Sequence, residues 1–201
     1  MARRSSTAPA GDPHRPHARQ PGQRPGMRGP HPPLWYASSN TATAEWAGPN
    51  NVNFVGRWNG GAFVPAAQAY WQTWEGRPDA ATAPRPRLGF AANVYLGATD
   101  GAAVERFRKA NDVFARQLTK LWHDHGNHQA DALWDTDLTL ANGNSLAGSA
   151  ETVRDVLAER VREAPVNYFE ATLAFGDLTP AEAQDNLAAF AETVMPALTR
   201  R

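Results

Sequence analysis

The sequence predicts an α/β fold built on a parallel sheet. Two observations carry that expectation. Four apolar runs of strand character are each followed by a stretch with helical spacing, and this alternation brings a parallel sheet with right-handed crossovers. The run Arg87 to Gly97, RLGFAANVYLG, is apolar almost throughout, as a strand covered on both faces requires. A third observation bounds the folded part. Residues 1–33 hold six arginines, three histidines, eight of the sixteen prolines and one acid, Asp12. That segment has too little apolar surface to offset the entropy of ordering it. Residues 1–30 are therefore expected to form a disordered Pro/Arg-rich tail, and residues 31–201 the folded domain.

Setting the tail aside changes the charge. The chain has 20 basic and 20 acidic residues; residues 1–33 take 6 and 1, which leaves 14 against 19, a body of net charge about −5. An acidic body argues against a nucleic-acid partner. Arg3-Arg4 is not followed by an apolar run, so no export signal is read there. No apolar run approaches the roughly 20 residues of a membrane span, and no membrane partner is expected. Cysteine is absent, which excludes disulfides and thiol chemistry. A cytoplasmic protein is the expectation.

Prolines 32 and 33 precede a short strand, Leu34 to Ala37, at a position where they block no ladder. Ser38-Ser39-Asn40-Thr41 then leads into a helix over 42–47. Small polar residues at a helix start leave backbone N–H groups and the positive end of the helix dipole available, which suits a phosphate; an ordinary helix cap uses the same residues. Asn51 to Val55 reads as the second strand, Arg57 to Gly61 as its turn, and Phe63 to Trp74 as a helix. The strand Arg87 to Gly97 follows, then a helix from about Gly101 to Trp122 with Asp100 as its cap. Its expected buried stripe is Val104, Phe107, Ala110, Phe114, Leu118 and Leu121. His123, His125 and His128 raise the question of a metal. They lie in a polar segment at a helix end, with Gly126 where a C-terminal stop belongs, and no metal site is assigned. Residues 129–147 read as irregular. Ser149 caps a helix carrying Val153, Val156, Leu157 and Val161, and Pro165 ends it.

The last stretch, Val166 to Leu198, gives the fullest reading. A strand turns through Gly176-Asp177-Leu178 into a helix whose start is a capping box: Thr179 as N-cap, Pro180 at the first position, Glu182 three residues after the cap. Leu187, Phe190, Ala191, Val194 and Met195 are expected to form one buried stripe. Pro196 is expected to stop the helix.

The stretch Gly148 to Leu198, GSAETVRDVLAERVREAPVNYFEATLAFGDLTPAEAQDNLAAFAETVMPAL, resembles the end of the bacterial luciferase-like flavin-dependent monooxygenases. HPPLWYASSNTATAEWA resembles that family's fifth strand and helix, and RLGFAANVYLGATDGAAVERFRKA its seventh. The resemblance implies a partial TIM (β/α)8 barrel, roughly the last four βα units, the C-terminal half only. It implies reduced FMN, supplied by a partner flavin reductase, and O2 oxidising a small organic substrate, with deazaflavin as the variant cofactor. It places Ser38, Ser39 and Asn40 at the flavin phosphate. Asn40-Thr41 departs from the Pro-Glu frequent there, and Ala164-Pro165 replaces the glycine usual before the last strand. Glu170 in the last strand reads as a solvated rim position or a hydrogen-bonded structural group, and no catalytic base is assigned. The first four strands, which supply much of the isoalloxazine pocket, have no counterpart, so catalysis by this chain is uncertain. The alternative is a non-catalytic half-barrel or flavin-binding remnant. It would need self-association or a complementary half, because both sheet edges are expected to be open.

Overall fold

The computed structural model describes residues 32–199. The tail expected over residues 1–30 lies outside them.

Five strands form one parallel sheet. β1 (Trp35–Ala37) pairs with β2 (Asn53–Arg57), and β2 with the first half of β3 (Leu88–Leu96). β5 (Tyr168–Thr172) lies along the other edge of β3, Gly89 opposite Tyr168 and Asn93 opposite Thr172. β4 (Ser145–Gly148) pairs with the last residues of β3, Asn93 to Leu96. The parallel α/β sheet expected from the alternation is the one formed. β4 is an addition the sequence did not announce, because SLAG has neither alternation nor a β-branched residue. Its place is fixed by the exposed end of β3, which runs past the end of β2.

Register divides the sheet into two faces, as side chains alternate along each strand. Phe54, Leu88, Phe90, Val94 and Leu96 point to one face and are buried. α1 (Thr41–Ala47), α2 (Phe63–Glu75) and α6 (Ala150–Glu163) cover that face with Ala44, Phe63, Tyr70, Trp74, Val153 and Leu157. The other face carries Trp35, Val55, Arg57, Ala91, Tyr168 and Glu170. The Trp35 and Tyr168 rings lie 4.9 Å apart although two strands separate β1 from β5. Only a strongly curved sheet brings them together, so this face is the inside of a trough.

α3 (Asp100–Asp124) departs from the expected pattern. It does not cover the outer face as a crossover helix. Phe107, Ala110 and Phe114 pack with Tyr95, Ala147 and Phe175 on the trough side, at the carboxyl end of β3. Two short helices follow, α4 (Asp131–Trp134) and α5 (Thr136–Ala141), within the stretch that reads as irregular. Leu118 and Leu121 are exposed, and Asn111 and Thr119 are buried in their place. Asn111 accepts from Asn93 of β3 and donates to Thr136 of α5, so the helix docks through an amide network as well as through rings. The helix cap is Thr99, which accepts from the Ala102 amide. Asp100 instead accepts from the Ser149 amide and the Thr152 hydroxyl, tying α3 to the start of α6.

The C-terminal helix corrects two further expectations. α7 (Pro180–Ala189) starts on the capping box read from the sequence, but continues through a π turn (Phe190–Val194) into α8 (Met195–Thr199). Pro196 therefore does not end the helix. The wider turn already departs from the i→i+4 ladder, with the Met195 amide donating to Phe190 O, and a residue without N–H is tolerated there. The buried stripe is Asn186, Phe190 and Val194, while Leu187 and Met195 are exposed.

Asn186 explains why this helix sits where it does. Its Nδ2 donates to Val94 O at 2.8 Å and Leu173 O at 3.0 Å, and its Oδ1 accepts from the Leu96 amide at 2.9 Å. One side chain thus completes the β3 edge beyond the end of β5. Gly176, with φ +61°, makes the preceding turn, and a Cβ there would stand 1.8 Å from Ala110 O. Arg106 of α3 locks the same corner. It donates to both Glu182 oxygens, at 2.6 and 3.1 Å, and to Asp177 Oδ1 at 2.8 Å.

β1 and β5 each have one partner among the described residues, and the two open sheet edges expected are found there. No described helix is long and apolar enough to cross a membrane.

Two outcomes test this account. Asn186→Leu strands three buried backbone groups and is expected to destabilise the fold by about 3 kcal/mol or more, read from urea unfolding. The Arg106 guanidinium, then the Thr179 amide and hydroxyl, hold the Glu182 carboxyl at about 2 against an ordinary 4.5. A carboxyl depressed in the folded state contributes stability above its unfolded value and loses it as pH falls toward the folded one. Unfolding measured between pH 4.5 and 2 should therefore show an acid-side loss of stability that is shallower in Arg106→Gln than in the parent.

Candidate functional site

The trough opens into a cleft at the carboxyl ends of β1 and β2 and beside Ala91 and Glu170 in the middle of β3 and β5, with a volume of ≈ 490 Å³. Parallel α/β sheets hold ligands at this end, where loops converge and helix N-termini point inward. Ser38, Ser39, Arg57, Asn59, Asn144 and Glu170 give the cleft its polar lining, and the largely exposed Leu133 of α4 stands at its margin. A second cavity of ≈ 400 Å³ runs along the outer edge of β5 beneath Phe190, Met195 and Leu198. It is apolar and has Tyr168 as its only titratable lining residue.

Each polar group in the first cleft has a traceable position. Asn59 and Asn144 form a reciprocal pair: Asn144 Oδ1 accepts from the Asn59 amide at 2.9 Å, and its Nδ2 donates to Asn59 Oδ1 at 2.7 Å. Asn59 has φ +48°, and Gly60 and Gly61 continue in positive φ, so the turn after β2 bends sharply enough to meet the segment before β4. Arg57, the last residue of β2, reaches across the trough. Its Nη2 donates to Asn144 O at 3.3 Å and its guanidinium lies 4.9 Å from the centre of the Trp134 ring. Burial lowers its pKa from the ordinary arginine value, but an arginine so placed keeps its charge. Arg57 Nε and Trp134 Nε1 are both buried without a hydrogen-bond partner among the described residues. Glu170 is exposed on the opposite wall, at the rim, with no ion-pair partner among the described residues.

The structure brings Ser38 and Ser39 to the cleft and leaves Asn40 just outside it. Their side chains are engaged in the turn itself. Ser39 Oγ accepts from the Arg57 amide at 2.8 Å and donates to Arg57 O at 3.2 Å, extending the β1–β2 ladder by one side-chain rung. Ser38 Oγ accepts from the Asn40 amide, and Asn40 Oδ1 accepts from the Thr43 amide as the cap of α1. The amides of Thr41 and Ala42, at the first two helical positions, have no intrahelical acceptor. Sequence reasoning missed Arg57, Asn59 and Asn144. Arg57 and Asn59 sit in what reads as an ordinary turn, and Asn144 stands 85 residues from Asn59, so no local pattern joins them.

The fold has solved counterparts. The oxygenating constituent of the 3,6-diketocamphane monooxygenase of Pseudomonas putida, a type II Baeyer-Villiger monooxygenase in complex with FMN, superposes with TM-score 0.57 at 21% identity, over 81% of this chain and 47% of that one. A monooxygenase from Streptomyces bottropensis gives 0.59 at 16% identity, over 84% and 49%. A coenzyme F420-dependent tetrahydromethanopterin reductase from Methanopyrus kandleri gives 0.50 at 14%, over 82% and 50%. The chain spans about half the length of each. No protein-family model matches the sequence, and no curated protein sequence does. The likeness is one of fold: a partial (β/α)8 barrel of parallel strands alternating with helices.

Ser39→Ala leaves the Arg57 amide and carbonyl without their rung and is expected to cost about 1–2 kcal/mol, measured by denaturant unfolding in the absence of any ligand. Unchanged stability would show that the hydroxyl has no structural part in the turn.

Proposed function

We propose that this chain binds a flavin-type cofactor in the trough and supplies half of a luciferase-like monooxygenase or oxidoreductase, in which FMNH2 and O2 oxidise an organic substrate. The observation that carries the reading is the place and chemistry of the cleft. It lies at the carboxyl ends of parallel strands, and its volume is within the roughly 300–1,000 Å³ of small-molecule sites. It holds one cation, Arg57, whose Nε donor is unspent. These features fit a ligand with an anionic or carbonyl-bearing end.

The residues that would hold it follow from the geometry. The turn Ser38-Ser39-Asn40 would receive the phosphate with the amides of Ser39, Thr41 and Ala42, because the Ser38 and Asn40 amides already donate, to Val55 O and Ser38 Oγ. Arg57 would orient an electronegative group, and Leu133 with Trp134 would exclude water at the margin. When bound, the flavin supplies the redox chemistry; the chain supplies binding, orientation and shielding. Glu170 is the one carboxylate on the cleft wall and would hold or pass a proton at the rim. FMN and deazaflavin remain alternatives for one site, as the solved counterparts carry both names. A reductase partner and a small organic substrate belong to the same proposal.

A second reading has its own observation. Leu34, Trp35 and Tyr36 on the β1 edge are 53%, 43% and 44% exposed, and the outer edges of β1 and β5 have no strand partner among the described residues. A half-barrel of this kind would bind flavin without turnover until a second copy or a complementary chain covers it. Light scattering coupled to size exclusion separates the two readings: a dispersed monomer at micromolar concentration excludes the need for a second copy.

The test of the main proposal is a fluorescence titration of the purified chain with FMN and with deazaflavin. One of them is expected to bind, and Arg57→Met should weaken that binding at least tenfold, about 1.4 kcal/mol. Failure of both to bind overturns the proposal for this chain.

A further inference from the structure

We propose that His123, His128 and Asp131 form a site for a divalent transition-metal ion of the zinc class, which clasps the margin of the cleft to the end of α3. The three side chains come from different local structures. His123 lies in the last turn of α3, His128 in the loop beyond it, and Asp131 opens α4. Gly126, at φ +70°, reverses the chain between them. His123 Nε2 stands 2.5 Å from Asp131 Oδ1, and His128 Nδ1 stands 3.1 Å from Asp131 Oδ2. The two imidazole rings are 4.5 Å apart at their centres. One ligand atom from each residue lies within 4.8 Å of the others, near enough that side-chain rotation, with the two His–Asp hydrogen bonds exchanged for metal bonds, would bring all three around a single ion.

The donor set selects the metal. Two imidazole nitrogens and a carboxylate oxygen suit zinc, copper, nickel or cobalt, whereas calcium and magnesium take oxygen ligands. Three protein ligands leave one tetrahedral position for water. The adjoining cavity of ≈ 240 Å³ is lined by Asp112 and Asp135, with Arg116 as the opposing cation, so the surroundings do not repel a divalent ion. The end of α3 adds its own preference for positive charge.

Place gives the site its consequence. Asp131 is three residues before Trp134, whose ring lies under the Arg57 guanidinium, and two before Leu133, which lines the cleft. Fixing Asp131 to α3 holds both of them. The inference does not need the flavin reading, since the metal is measured directly.

The experiment uses the full chain. Zinc is titrated against a chromophoric chelator, and cobalt serves as a spectroscopic probe of ligand number. One ion per chain is expected, together with tetrahedral cobalt absorption and an upward thermal shift with zinc. H123Q, H128Q and D131N should each weaken zinc at least tenfold with unchanged circular dichroism. H125Q should bind as the parent does, and so should the triple variant H14Q/H17Q/H31Q, which removes the remaining histidines. Binding that survives H123Q and D131N, binding that is lost in the triple variant, or no binding by the parent each overturns the site. None of these outcomes decides whether flavin binds, which the separate titration reads.

Discussion

The structure depends on the backbone pairing of β3. This nine-residue strand has β2 along the first half of one edge, β4 along the second half of the same edge, and β5 along the other. Where β5 stops, the Asn186 amide takes over and gives Val94 and Leu96 the partners a further strand would give. A buried strand must spend every N–H and C=O, and each loss costs far more than each made bond contributes. That constraint fixes the four elements that touch β3, and through them the trough.

The trough follows from what the two faces carry. The outer face is a continuous apolar layer, with Phe54, Tyr70, Leu88 and Phe90 fully buried. The inner face mixes small and polar side chains, Gly89, Ala91, Asn93, Arg57 and Glu170, that do not fill the space between strands. The excursion of α3, α4 and α5 then covers the carboxyl end. It docks by the Asn93–Asn111–Thr136 amide and hydroxyl chain and by tilted and edge-on contacts of Phe107 and Phe114 with Phe175. A cleft with one cation and a polar rim is what remains.

Legibility differed by the range of the interaction that decides each feature. The capping box at Thr179 and Glu182, the Ser149 cap and the apolar strand around Phe90 are local, and the structure reproduces them. The buried stripe of the last helix was misassigned because Asn186 outranks Leu187. A polar residue wins a core position when three buried backbone groups wait for it, and nothing in the helix's own periodicity reports them. Pro196 was read by the same local logic, and the π turn relaxed the restriction it imposes. At the site, Ser38 and Ser39 line the cleft and Asn40 lies just outside it. Arg57, Asn59 and Asn144 were not legible, since their meeting spans most of the domain.

By itself the sequence determined the strand–helix alternation, the parallel sheet, the helix starts at Ser149 and Thr179 and the body's acidic charge. These depend on spacing, propensity and composition over a few residues. The tertiary structure alone decided that β4 exists, that α3 lies over the trough rather than behind the sheet, and that Asp131 joins His123 and His128. It also decided which side chains face the cleft. The strand, the helix position and the cleft lining are settled by unsatisfied backbone groups or empty space on a distant element, and the Asp131 contacts by the turn at Gly126 that brings three side chains together; a chain cannot display these until it has folded.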